Sequence, residues 1–220
     1  MIAAMTTRYT QFCALARALE LLGERWTLLI IRELLLGPKR FSDLKERLDG
    51  ISASVLSQRL TRLEEDGLVQ RAYLEPPAAS NVFELTEFGR ALQPAIFELI
   101  RWGARSLYPS RAGERREPEW LGLVLRAYAR KGRVPQRSLE VRLKENGHEA
   151  TFYVRGTAKG TFVSAEPTAC DVRVALNIDT LFGLGSGRIS TSDAISGGLA
   201  ESEGDAEALA VFPDLFDMRR

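Results

Sequence analysis

Histidine and cysteine are scarce here: one histidine, His148, and two cysteines, Cys13 and Cys170, stand among 220 residues. So small a set leaves a structural zinc site short of nitrogen and sulfur ligands. The two cysteines stand far apart with no pairing pattern, which suits a reducing compartment. His148 follows the turn signal Asn146-Gly147 and has no nucleophile beside it, so it is expected as an exposed turn residue. The glycines of Gly183-Leu184-Gly185-Ser186-Gly187 follow a helical stretch rather than a strand and lack a Lys-Ser/Thr ending, which argues against a phosphate loop. Neither an enzyme nor a cofactor is expected. No apolar run approaches the length of about 18 residues that a membrane span needs. Met1 to Thr10 lacks the basic start and apolar core of a secretory signal, so a cytoplasmic location is the default.

An excess of one charge sign is also missing. The net charge is +1, and residues 1–110 hold 14 basic against 13 acidic side chains. Residues 111–137 hold 8 against 3, and residues 138–220 hold 8 against 13. Bulk charge therefore says little about nucleic acid, and any such case rests on where individual charges sit. The apolar fraction of 45% and charged fraction of 27% are those of an ordinary globular chain.

Helical periodicity dominates the first hundred residues. Leu15, Ala18, Leu19 and Leu22 form a stripe that stops at Gly23, and Trp26 to Leu36 is apolar nearly all round, which predicts a buried helix. A third helix is expected from Phe41-Ser42, with Ser42 as N-cap, and Asp49-Gly50 turns the chain. In the fourth, Ser52 is placed to cap the first amides while Ile51 and Leu56 occupy the two positions of a hydrophobic staple. Leu56, Leu60 and Leu63 share its inner face, and Ser54, Gln58, Thr61 and Glu65 its outer one, flanked by Ser57 and Arg62. A capped helix with small polar residues on its early outer face fits the DNA major groove, about 12 Å wide. Ser54, Ser57, Gln58 and Thr61 are the candidates for base readout. Lys39, Arg40, Ser52, Arg59, Arg62 and Arg71 are the candidates for phosphate contact, with Arg59, nearest the core side, the readiest to be structural. Residues 68–73 and 82–85 read as a hairpin around a tip, 76–81, that is poor in charge. Thr86 is expected to cap one helix through about Leu107, its wide stripe of Phe88, Leu92, Ala95, Ile96, Leu99 and Gly103 suiting a subunit contact as readily as a core contact.

After a basic, Pro/Gly-containing linker (109–118), a second unit over 119–220 begins with a helix from Trp120 to about Ala129. Four alternating stretches follow, around 139–143, 151–154, 160–163 and 172–176, the first two joined at Asn146-Gly147. Ile178 to Leu184 reads as a helix, and Asp205 as the cap of a last helix through Phe216. Helices around an antiparallel sheet would make this unit α+β.

The residues also carry two resemblances. The run from Cys13 through Glu24-Arg25-Trp26 to Leu34, then Gly37-Pro38-Lys39-Arg40-Phe41-Ser42, Ile51-Ser52-Ala53-Ser54-Val55-Leu56 and Leu85-Thr86-Glu87-Phe88-Gly89, resembles HxlR-type regulators over about 12–108. The resemblance implies a mainly α, winged helix-turn-helix domain over 1–108 and a homodimer on double-stranded DNA. Ala14 departs from it, since a proline usually follows the cysteine. It also implies Cys13 as a candidate redox sensor, against the plainer reading of a packed helix-start cysteine. More loosely, Asp171 to Phe182, Gly187-Arg188-Ile189 and Gly204 to Leu209 are similar to the sterol-carrier-type fold, which implies an α+β domain with an apolar tunnel. Phe152, Val154, Phe162, Val174, Leu176, Phe182, Leu199, Leu209, Phe212 and Phe216 are the candidates to line it, and are equally what a solid core would use.

Together these imply a transcription regulator, a repressor before an activator, answering to an apolar small ligand. Two alternatives stand beside it: a constitutive regulator whose second domain only braces the dimer, and a lipid carrier or enzyme using the winged helix as a scaffold.

Overall fold

A computed structural model describes residues 9–218. Most of the opening stretch read above as lacking a secretory signal, positions 1–8, lies outside the described residues. Internal packing divides the chain between Ile96 and Phe97 into two units.

The first unit opens with α1 (Ala14–Leu22), α2 (Thr27–Leu35), α3 (Phe41–Arg47) and α4 (Ala53–Glu65). Strands β1 (Val69–Leu74) and β2 (Ser80–Leu85) form an antiparallel hairpin, followed by α5 (Glu87–Arg90) and the start of α6 (Gln93–Ala104). Ile30, Ile31, Leu34, Leu44, Leu48, Leu56, Leu60 and Leu63 are buried, so the core lies between α2, α3 and α4. α2 is not apolar on every side as used: Leu29 is exposed, while Glu33 is wholly buried. The Glu33 carboxylate accepts from Arg32 and, across to α3, from the Arg47 guanidinium at 2.6 Å. Ser42 does not cap α3. The N-cap is Arg40, two residues earlier, and the Asp43 carboxylate accepts the Arg40 N–H at 3.0 Å.

The single helix expected from Thr86 to Leu107 is two helices. Thr86 does cap, its Oγ1 accepting from the Gly89 amide, but the chain breaks at Ala91-Leu92. Pro94 is the reason: it has no N–H to give the Arg90 carbonyl, and its ring would collide there, so it sits in the first turn of a new helix. Gly89 is held by close approach, because an added Cβ would strike the Leu68 carbonyl oxygen.

The second unit comprises the rest of α6, a 3-10 turn (Pro118–Trp120), α7 (Leu121–Tyr128), β3 (Ser138–Glu145), β4 (His148–Thr157), β5 (Gly160–Ser164) and β6 (Val172–Leu176). It continues through α8 (Ile178–Ser186), α9 (Thr191–Ser196), β7 (Ala200–Gly204), α10 (Ala206–Ala210) and α11 (Phe212–Leu215). This is an α+β unit, but its sheet is mixed rather than antiparallel. The order is β5-β4-β3-β6-β7, with β3 and β6 parallel. Asn146 and Gly147 both have positive φ (49° and 83°), as the two-residue β3–β4 turn requires. The last helix is also split, with Pro213 in the first turn of α11, while Asp205 caps α10 as expected. Leu139, Val141, Phe152, Val154, Val172 and Val174 point into a helix-covered core, and Glu140, Arg142 and Arg173 form an ion-paired ladder on the sheet's other face.

The basic segment after α6 is tied down at both ends. The Tyr108 hydroxyl donates to Asp179 in the first turn of α8, and the Arg116 guanidinium reaches the same carboxylate at 2.8 Å and Glu145 at 3.4 Å. Arg116 and the Tyr108 hydrogen bond hold the Asp179 carboxyl below its usual range against a partial burial that pushes the other way. Desolvation first, then Asp179, push the Tyr108 phenol up to about 12. Among the described residues no helix is long and apolar enough to cross a membrane.

Two outcomes follow. Glu33→Ala leaves two arginine head groups facing an apolar core and is expected to destabilise the first unit by about 3 kcal/mol, read from urea unfolding. An unchanged midpoint would show that the pair is dispensable. For Asp179, whose folded-state pKa is lowered, the stabilisation is present above the ordinary carboxylate range and is lost as pH falls through the folded value. Thermal melts of wild type and Asp179→Asn should therefore differ near neutrality and converge in acid; a constant gap down to the lowest pH reached would refute the assignment.

Candidate nucleic-acid interface

α4 presents two unlike faces. Leu56, Leu60 and Leu63 are buried, and Ile51, just before the cap, is buried with them. The Ser52 Oγ accepts the Val55 amide at 3.2 Å and lies 3.0 Å from the Ser54 Oγ, so its hydroxyl serves the helix start first. On the solvent side Ser54, Ser57, Gln58 and Thr61 are all exposed, together over two turns. From Ala53 to Leu63 the helix contains no carboxylate; Glu64, Glu65 and Asp66 gather at its far end. The positive end of the helix dipole thus lies at the end without carboxylates.

The hairpin flanks this face. Lys39 and Phe83 exchange backbone hydrogen bonds at 3.0 and 2.8 Å, which adds the segment before α3 to the edge of β2. The Arg40 guanidinium donates to the Ala78 carbonyl at the hairpin tip. Between helix and hairpin lies a cleft of about 270 Å³ bordered by Ser57 and Thr61 on one side and Arg71, Asn81 and Phe83 on the other. Asn81 was not singled out from the sequence. It shares a hairpin face with Arg71, Tyr73 and Phe83 by strand alternation, but only the register Tyr73↔Asn81 brings it to the cleft.

The six cation and hydroxyl candidates are placed differently. Arg40 is exposed and Lys39 half-buried, both beside the start of α3. Arg71 is exposed, packs over the Phe83 ring at 5.3 Å, and is held by Glu64, whose hydrogen bond and charge push its pKa further up. Arg62 is paired with Asp66 at 3.0 Å and Glu65 at 3.5 Å. Arg59 is mostly covered and bonded to Glu24 at 2.7 Å, linking α4 to the turn before α2.

Outside this face, Cys13 is exposed as the residue before α1, so it is not the packed cysteine of the plainer reading. His148 is exposed as the first residue of β4, with its Nδ1 3.8 Å from Glu117. Among the described residues no group of three or more His, Cys, Asp or Glu could hold a metal ion.

The tunnel candidates divide. Phe152, Val154, Val174, Leu176, Leu209, Phe212 and Phe216 are buried together in the second unit's core, with Phe182 packed against it. Phe162 and Leu199 do not join them, being 50% and 46% exposed. Val154 pairs with Val163 in the sheet, so alternation turns Phe162 to the opposite face, and Ala200 rather than Leu199 enters the core.

Known proteins extend this picture. Residues 21–111 match the model of the HxlR-like helix-turn-helix family. An uncharacterized HTH-type transcriptional regulator of Mycobacterium bovis is 47% identical over 41% of this chain and 56% of its own length. The chain thus spans little more than half of that relative. YvaP, an uncharacterized HTH-type transcriptional regulator of Bacillus subtilis, is 36% identical over 43% of this chain and 87% of itself. The solved reduced form of the transcriptional regulator YodB from Bacillus subtilis is 36% identical over 46% of this chain and all of its own, with a TM-score of 0.39. By that family match and the identity with YvaP over most of its length, the chain belongs to the HxlR-like helix-turn-helix family.

Proposed function

We propose that this chain is a cytoplasmic transcription regulator, a repressor before an activator, that binds double-stranded DNA sequence-specifically as a homodimer. The observation that carries this reading is the exposed, carboxylate-free face of α4, where Ser54, Ser57, Gln58 and Thr61 stand over a buried leucine stripe beside a hairpin. In this reading those four side chains meet base edges, with Gln58 suited to a bidentate pair with adenine. Arg40, Lys39 and Arg71 meet phosphates, and Ser52 contributes its hydroxyl at the helix N-terminus. Arg62 joins them by exchanging Asp66 for a phosphate, whereas Arg59 acts by holding α4 through Glu24.

An apolar strip on α1 supports the dimer. Leu15 and Leu19, one turn apart, are 67% and 44% exposed, and Phe12 just before them is fully exposed. Two large apolar groups left in water on one short helix, with a third just before it, favour a second copy as cover. Cys13, at the head of that strip, is the candidate oxidant-sensing thiol.

For the second unit we infer a sterol-carrier-like α+β domain. The packing of seven of the ten tunnel candidates into one core favours its acting as a brace over its holding an apolar ligand in an open tunnel.

Duplexes selected from a random library by the intact protein would test the central reading, with affinity measured by fluorescence anisotropy across salt concentrations. Gln58→Ala should remove about 1–3 kcal/mol of discrimination at one base position while random duplex binds as before. Arg40→Ala should weaken every duplex alike and reduce the salt slope by about one. If the wild type prefers no selected sequence over random duplex, the regulator reading fails and the scaffold alternative takes its place.

A further inference from the structure

The second unit holds a groove of about 930 Å³ beside its apolar core, which lends the groove Ala127 and Tyr128. The C-terminal end of α6 forms one wall and the end of α7 with Arg130 and Lys131 the other. Two of its cations are built into the walls. Arg101 donates to the Ala127 carbonyl and pairs with Glu98, and the Arg130 Nε donates to the Phe216 carbonyl at 3.1 Å. The other two, Arg105 and Lys131, are exposed and have no carboxylate partner among the described residues. Two rings stand with them: the Trp102 indole, 72% exposed, and the buried Tyr128. Burial pushes the Tyr128 phenol up, while Arg101 and Arg105 pull it down and Asp217 pushes it up.

Volume, charge and aromatic surface together define a ligand class. Small-molecule sites occupy roughly 300–1,000 Å³ and combine apolar walls with a few polar groups that fix orientation. Two free cations beside two rings suit an anionic head on a flat apolar body, since guanidinium and ammonium groups hold carboxylate, sulfonate or phosphate oxygens by charge-assisted hydrogen bonds. Glu98, which is paired with Arg101, and Asp217 also line the groove, so it suits one anionic head at the exposed cations rather than a chain of phosphates along its length.

We propose that this groove is a binding site for a small organic anion, with Arg105 and Lys131 holding its head and Trp102 and Tyr128 its aromatic body. It uses none of the DNA-facing side chains and stands or falls independently of the regulator reading. The probe is anilinonaphthalene sulfonate, an aromatic anion, titrated into the full-length protein beside its uncharged relative phenylnaphthylamine. One saturable sulfonate site per chain is expected. Its affinity should fall about tenfold or more in Arg105→Gln/Lys131→Gln and stay unchanged in Arg173→Gln, on the far face of the sheet. Energy transfer from tryptophan to the bound dye should drop in Trp102→Phe, which locates the dye. Circular dichroism melts check that the double variant is folded, and if it is not, Lys131→Gln alone, on an exposed stretch, carries the comparison. Equal binding of the sulfonate to wild type and double variant, or of the neutral amine and the sulfonate to wild type, would overturn the proposal. So would undiminished transfer in Trp102→Phe.

Discussion

The first unit hangs on one buried carboxylate. Glu33 lies wholly inside, on the helix otherwise richest in leucine and isoleucine, and joins Arg32 of its own helix to Arg47 of the next. Burying a charge is costly unless its oxygens are fully engaged, so the pair enforces one geometry for α2 against α3 rather than merely adding adhesion. The rest of the first unit is referred to that frame. α3 begins where Lys39 has already paired with the hairpin through Phe83, and α4 leaves α3 by a short turn with Ile51 buried beneath it. Arg59 then bonds back to Glu24, and Gly89 packs on the Leu68 carbonyl too closely for any side chain.

With the frame set, α4 works by the contrast between its faces and between its ends. Its inner face is leucine; its outer face is hydroxyl and amide, with the acids confined to the last turn and occupied by Arg62 and Arg71. A chain of near-zero net charge can still present a surface fit for a polyanion, because an exposed helix N-terminus and a few placed cations act over a distance comparable to the Debye length, about 8 Å at physiological salt. The same economy of charge implies that affinity would rest on shape and base contacts as much as on counterion release.

The second unit separates its chemistry from its core. One face of the mixed sheet is sealed by helices and filled by aromatic and aliphatic side chains, and the other is a ladder of paired charges. Three of the eight basic residues over 111–137 act at two places within this unit. Arg116 clamps the segment after α6 to Asp179 and Glu145, and Arg130 and Lys131 face the groove beside Trp102 and Arg105. A ligand-holding role for this unit is therefore better matched to the charged groove than to the packed interior.

What the sequence by itself determined is local. The Ser52 and Thr86 caps, the leucine stripe of α4, the Asn146-Gly147 turn and the strands at 139–143 and 172–176 are each written within a few residues, in capping chemistry, helical period or alternation. The breaks at Pro94 and Pro213 are equally local, a missing N–H set inside an apolar stripe that runs on past it. Only the tertiary structure decided the rest. β3 and β6 pair in parallel across more than a hairpin's length of chain, and β7 is an edge strand whose Glu-Ser-Glu pattern has no apolar alternation to betray it. The side on which Phe162 falls depends on the register of β4 with β5, and the burial of Glu33 depends on an arginine from another helix. Charge burial, strand register and the closure of a groove are properties of pairs distant in sequence, so no single stretch of chain can state them.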